Sequence, residues 1–466
     1  MSAGEALADL WRAVGGRPDA LDGVRLTGAD PVLPSSFRLG HAAQASIAAV
    51  ALAAAETWRA RGGRRQRVEV AMRDAAIEFR SERYMRVAGR PAPEIWDRIA
   101  GAYRCGDGRW VRLHTNFPHH RDGVLRLLGC DYERDAVARA LEGWEGAAFE
   151  DAAAEAGLVV TMMRSFAEWD AHPQGQAVAS LPLVAIERIG DAPPSPFPPA
   201  AEARPLAGLR VLELTRIIAG PVCGRALAAH GADVLLVTAP HLPAVEPLVI
   251  DTGRGKLSAS VDLRGEAGRE TLRGLVRDAD VFVQGYRPGA LAARGFAPEA
   301  LAALRPGIVA VSLSAYGQAG PWATRRGFDS LVQTASGLND AEAEAAGEAR
   351  PRPLPCQALD HAAGYLMALG ALMALRRRAE EGGSWHVRVS LARTGRWLRD
   401  LGRVEDGFAA PDPEFADVAD RLEETPSGFG PLTAVRHAAR LSETPPRWAR
   451  PSMPLGTHPP VWPAAA

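Results

Sequence analysis

Through the middle of the chain, short apolar runs alternate with stretches of helical periodicity. Leu209–Leu214 (LRVLEL), Asp233–Val237 (DVLLV), Asp280–Gln284 (DVFVQ) and Ile308–Leu313 (IVAVSL) predict strands. Between the first two, Pro221–Ala229 fits a helix that starts on proline and stops at Gly231, which makes a βαβ unit. Gly268–Arg277 predicts a further helix. Strands that are unbroken Val/Leu/Ile runs are apolar on both faces and need helices on both sides. The pattern therefore predicts an α/β fold with a Rossmann-like doubly wound parallel sheet.

The first part of the chain has another texture. Ala42–Ala60 predicts a long alanine-rich helix, followed by Gly62-Gly63 and the alternating strand Gln66–Met72. A DG turn at Asp107-Gly108 leads into a hairpin strand at Trp110–His114, and Arg121–Leu128 and Glu150–Gly157 predict short helices. A smaller α+β domain follows from these elements. Gly190–Pro205 is proline-rich and reads as an extended linker, and the tail Pro445–Pro463 carries Trp448 and Trp462, suited to being strapped onto a surface. The chain divides into 1–200, 205–400 and a C-terminal strap over 401–466.

Composition narrows the function classes. The 466 residues carry 54 Lys+Arg and 55 Asp+Glu, a net charge of −1, which argues against a nucleic-acid binder and against a polybasic membrane binder. The longest apolar stretch, Ala42–Ala55, is too short for a bilayer, and no apolar signal core opens the chain. Cys105, Cys130, Cys223 and Cys356 lie far apart with no C-x-x-C, which suggests neither a zinc site nor a disulfide framework. A cytoplasmic location is expected. His114, His119 and His120 cluster, but their spacing is irregular and reads as surface histidines rather than metal ligands.

Leu39–Gly63 aligns with Leu359–Gly383 at a fixed offset of 320, with ten identities in twenty-five positions. Both segments run from LxHAA to Gly-Gly, and an alternating strand follows each: Val68-Glu69-Val70 and Val387-Arg388-Val389. Internal duplication accounts for this; alanine bias in two unrelated helices is the alternative. The copies differ where it matters for chemistry, with Gly40 in LGHAA and Asp360 in LDHAA.

Four segments in order carry a wider likeness: Pro205–Val237, Gly253–Arg264 (GRGKLSASVDLR), Asp278–Phe296 and Ser314–Leu338. They resemble family III CoA-transferases, the CaiB/BaiF group that includes formyl-CoA and carnitine-CoA transferases and α-methylacyl-CoA racemases. QRVEVAMRDA, YRCGDGRWVRLH and AGLVVTMMRSFAEWDAHPQGQA in the first part resemble later portions of the same family, so the order is rearranged, with a degenerate partial copy preceding the copy that keeps the aspartate. The resemblance implies the family fold, an interlocked homodimer, and coenzyme A or acyl-CoA as substrate with no permanently bound cofactor.

It also implies Asp360 as nucleophile, attacking an acyl-CoA to give an aspartyl anhydride and then an aspartyl-CoA thioester from which a carboxylic acid collects the CoA. An ordinary N-cap aspartate is the competing reading. For CoA, the candidates are Gly253, Arg254, Gly255 and Lys256 at phosphates, and Tyr286 and Arg287 at adenine and phosphate. Ile218 and Ala219 are placed at the pantetheine end, and Arg326, Gly327, Phe328 and Asp329 along the catalytic pocket. Each could instead be ordinary turn or core structure.

No G-x-G-x-x-G follows Leu214, and Thr238 stands where a dinucleotide fold wants an acid, so an NAD enzyme is disfavoured. Racemases of the family carry His where Phe328 stands, which favours transfer over racemisation. Ile218 replaces a Gln common near the thioester, and the arginine after the PG turn is displaced to Arg294. The glycine-rich closing loop has no evident counterpart around Cys105–His120. A catalytically silent partner subunit and an acyl-CoA isomerase or racemase are the alternative functions.

Overall fold

A computed structural model describes residues 1–197 and 204–463. Pro198 and Pro199 of the expected linker lie outside the described residues. The central sheet has seven strands: β1 (Ala185–Gly190), β2 (Arg210–Leu214), β3 (Asp233–Thr238), β4 (Lys256–Ser260), β5 (Val281–Gln284), β6 (Val309–Ser314) and β7 (Ser384–Ser390). Their spatial order is β4-β3-β2-β5-β6-β7-β1. β2 to β7 are parallel, and β1 closes the far edge antiparallel to β7.

Alternating side chains explain the double winding. Val211, Val234, Val281, Val283, Val309, Val311 and Val387 point into one core, shared with the helices Leu39–Ala60 (α1), Ala219–Ala229 (α2) and Ala358–Glu381 (α3). Leu212, Leu214, Leu235, Phe282 and Ala310 point into the other, against the helices Glu266–Arg277 and Pro298–Leu304. The four expected strands and the helix after the first of them occur within a residue or two of their predicted limits. β1 and β4 are additions: one falls before the proline run, and the other lies where a glycine-rich turn was expected.

α3 is long and apolar enough to cross a membrane, yet its apolar window is wholly buried within the protein. It crosses α2 closely because of Gly364, where a Cβ would stand 2.5 Å from the Ala219 carbonyl oxygen and 2.7 Å from Val222. α1 lies on the other side of α3, in the same core. The succession of α1, strand Val68–Ala71 and helix Met72–Glu78 matches that of α3, β7 and the helix Leu391–Asp400 (α4).

The first part also holds an antiparallel sheet of Gly101–Arg104, Trp110–Leu113 and Val160–Met162, with its own core around Val111, Leu113 and Phe149. Residues 401–463 are more than a strap. Leu422–Thr425 and Leu432–Val435 join Arg86–Val87 in a sheet, and Ala439–Leu441 pairs with Val68–Ala71. Only the end of the chain is strapped on. Trp448 Nε1 donates to the Arg225 carbonyl at 3.0 Å and Trp462 Nε1 to the Leu275 carbonyl at 3.0 Å. His458 and Ser258 exchange hydrogen bonds at 2.8 and 3.0 Å, which covers the open edge of β4.

Candidate active site

At the C-terminal ends of the parallel strands lies a cavity of about 360 Å³. Leu214 and Ile217–Ala219 after β2, Val237–Ala239 after β3, Gly285–Pro288 after β5 and Ser314-Ala315 after β6 line it. β2 and β5 are adjacent, and the chain leaves them for opposite sides of the sheet, which is the switch point where doubly wound folds bind ligands. The turn after β2 is strained. Ile217 takes φ 75°, a left-handed conformation that costs a β-branched residue about 1–3 kcal/mol.

Asp360 lines the cavity from the first turn of α3 and is 6% exposed. It is not the N-cap. Gln357 holds that position, and the backbone N–H of Asp360 itself donates to Asp329 Oδ2 at 2.8 Å. Asp329 does not line the cavity; it sits behind Asp360 and also accepts from the Gln333 amide. Both carboxyls are pushed above the usual carboxylate range. For Asp360 burial is the main cause, followed by the charges of Asp329 and Glu82; for Asp329 it is burial, partly offset by its donors. The donors make Asp329 the better-stabilised anion, so the proton of the pair belongs on Asp360. A carboxyl kept short of water and of hydrogen bonds is a strong nucleophile once that proton leaves.

Ile218, Ala219, Tyr286, Arg287, Arg326, Gly327 and Phe328 line the same cavity as Asp360. Arg326 is anchored by a 2.9 Å bond to the Gly157 carbonyl, and the exposed Arg287 side chain has no hydrogen bond or ion pair among the described residues. Gly253, Arg254, Gly255 and Lys256 do not line it, contrary to expectation. Lys256 Nζ is buried 2.8 Å from Glu213 Oε2 and also donates to the Pro221 carbonyl at 2.7 Å. Arg254 is buried against Asp251, the Val435 carbonyl and the Trp448 ring, and the Gly255 N–H donates to the Arg450 carbonyl. The buried carboxylates and the C-terminal tail take up these groups.

Other cations serve the cavity instead: Arg216, Arg264, Arg294 and Arg325, with His119 and His241. The displaced Arg294 thus still lines the cleft. Arg216 lies two residues after the end of β2, and its place near a strand end was the available signal. Arg325 was detectable only through its neighbour Arg326. His119 and His120 belong to the segment after Trp110–Leu113, and His114, from the same segment, stacks on Phe328 with ring centroids 4.0 Å apart. The stretch with no recognisable closing loop therefore walls the cleft from within the same chain. His361, beside Asp360, turns away from it: Nε2 lies 3.2 Å from Glu82 Oε2, and the ring stacks on Phe79.

The N-terminal end of α1 is filled. Gly40 and His41 donate their backbone N–H groups to the Asp30 carboxylate, and a Cβ on Gly40 would stand 2.3 Å from Asp30 Oδ1.

The switch-point cleft of the doubly wound α/β sheet thus carries a buried carboxyl and arginine-bearing walls. The sequence profile of CoA-transferase family III matches residues 21–193 and 206–414, and the chain belongs to that family. Among its relatives, an acetyl-coenzyme A transferase, nodX, of Hypoxylon pulicicidum is 31% identical over 66% of this chain and 56% of its own. A probable fatty acyl-CoA transferase of Mycobacterium tuberculosis, Rv3272, is 31% identical over 52% of this chain and 65% of its own. The crystal structure of Rv3272 covers 42% of this chain and 57% of its own at TM-score 0.40, with 32% identity. The chain spans little more than half the length of the first of these relatives.

Proposed function

We propose that this protein moves CoA from an acyl-CoA to a carboxylic acid through Asp360. The observation that carries this reading is the carboxyl itself: it is buried, has no hydrogen bond among the described residues, and opens onto a cleft whose walls bear Arg216, Arg287, Arg294 and Arg326. The CoA phosphates pair with these arginines, adenine lies against Tyr286, and the pantetheine arm passes Ile218 and Ala219 towards Asp360. Asp360 attacks the thioester carbonyl and expels CoA as thiolate. The thiolate attacks the resulting anhydride at the aspartyl carbonyl, and the acyl group leaves as a carboxylate. An acceptor carboxylate then attacks the aspartyl-CoA thioester, and returning thiolate takes the acceptor from the new anhydride as its CoA ester. Two successive exchanges conserve the thioester's transfer energy.

Incubation of the full chain with acyl-CoA and hydroxylamine, followed by mass spectrometry of the peptide containing Asp360, tests the reading. A hydroxamate at Asp360 is expected. CoA binding with no modification would mark a silent paralogue, and deuterium uptake at the acyl α-carbon without CoA exchange would mark an isomerase.

The organisation follows the same proposal. The 1–200 part is a degenerate copy, supported by the recurrent helix–strand–helix succession and by the Asp30-filled helix mouth. The 205–400 part carries the nucleophile, and 401–466 completes the sheets of the first part and ends in the strap. The resemblance to the family implies an interlocked homodimer. Here the intrachain contacts of His114, Gly157 and Glu150 with Phe328, Arg326 and Arg325 support a cleft walled within one chain, with any homodimer formed outside it. Light scattering of the purified protein decides its assembly. The four free cysteines suit a reducing, cytoplasmic setting.

A further inference from the structure

His120 is a side chain without an internal purpose. The residue is 4% exposed, it lines the cavity shared with Asp360, and neither ring nitrogen has a hydrogen-bond partner among the described residues. Buried polar groups are almost always paired, and an unpaired one in a cleft wall points to a ligand. The ring is held by edge contacts with Phe117 at 5.9 Å and Phe328 at 6.3 Å, and by His119 at 4.0 Å. Phe328 directly precedes Asp329, which accepts the backbone N–H of Asp360. One aromatic ring thus links the imidazole to the start of the nucleophile's helix.

We propose that His120, brought in by the N-terminal half, is a catalytic residue that donates its N–H to the acyl oxygen while Asp360 attacks. The inference rests on the transfer reading above. One Asp360 oxygen forms a bond to the thioester carbon, and the C=O π pair moves onto oxygen, where the His120 N–H meets it. The pair returns as the C–S bond breaks and CoA leaves as thiolate, and His120 keeps its proton throughout. Burial, then the charges of His119, Arg326 and Arg216, push its pKa down to about 3, so the ring is neutral, with one donor and one acceptor. A neutral donor aimed at a developing oxyanion needs no proton transfer.

The test uses the full chain with acetyl-CoA, succinyl-CoA and palmitoyl-CoA in turn, following single-turnover CoA release with a thiol reagent and trapping Asp360 with hydroxylamine. His120→Phe is expected to slow release by about 100-fold or more, with CoA Kd changed by less than about twofold. Removing two unpaired nitrogens should leave its Tm equal or higher. His120→Gln, which restores an N–H donor, is expected to recover at least about tenfold, with the midpoint of the pH–rate profile unmoved. Wild-type trapping together with unimpaired His120→Phe overturns this inference alone. Loss of a pH limb in His120→Phe would show proton transfer and also overturn it. Absence of trapping and release in the wild type with all three thioesters overturns the transfer reading, and this inference with it.

Discussion

Replacing Lys256 with Met separates a structural lysine from a phosphate-binding one. The ammonium is 2.8 Å from Glu213 Oε2 and 2.7 Å from the Pro221 carbonyl, and both side chains of the ion pair are at most 2% exposed. Lys256→Met leaves a buried carboxylate whose remaining hydrogen bond is from Thr215 at 2.6 Å. Removing one member of a buried ion pair costs about 3–5 kcal/mol. With an unfolding entropy of about 2.1 cal/mol/K per residue, the chain's 466 residues make 1 kcal/mol worth about 1 °C. The expected loss of Tm is therefore about 3–5 °C by scanning calorimetry. Glu213→Leu in the same chain removes the stranded charge, so the double variant should return to within about 1 °C of wild type. Titration calorimetry should find CoA Kd within about twofold of wild type, because Lys256 does not line the cleft. A lysine meeting phosphate would instead lose about 1.5–3 kcal/mol of binding, raising Kd more than about tenfold. An unchanged Tm with Kd raised that far would refute the reasoning.

Asp360→Asn should lower CoA transfer by at least about a thousandfold in the exchange assay. Its stability effect has a definite sign: the raised carboxyl pKa values mean the native state binds more protons than the unfolded chain, so wild-type stability declines as pH rises through the native values, and the variant's Tm advantage should be larger near about pH 8 than near about pH 5. Because only the carboxylate attacks, the wild-type rate of CoA release should climb with pH across the same range in stopped flow. Arg287→Ala removes an exposed cation of the cleft and should weaken CoA binding about tenfold, with a shallower salt dependence by titration calorimetry. Ile217→Gly relieves a positive φ and should raise denaturant stability by about 1 kcal/mol while slowing CoA release several-fold as the turn loosens. Gly40→Asp should cost at least about 2 kcal/mol, since the new side chain collides with Asp30 and Met72, and it should give no second hydroxamate peptide.

The strands of the parallel sheet were legible because a strand buried on both faces writes itself as an unbroken apolar run, a property of its own residues. Asp360 was singled out by its place at the head of a helix that continues a matching series of motifs. Tertiary structure decided the rest. GRGK looks locally like a phosphate cradle, but Lys256 faces Glu213, 43 residues earlier, and Gly255 bonds to Arg450 near the far end of the chain. His120 reaches the cleft because Phe328, some two hundred residues later, packs against it. Periodicity reports which face of an element is buried, whereas the identity of what buries it depends on contacts between residues distant in sequence. That is why the sheet and the buried Asp360 could be singled out from the chain alone, along with Arg287, Arg294 and Arg326, whereas Arg216, Arg264 and the imidazole of His120, which line the same cleft, could not.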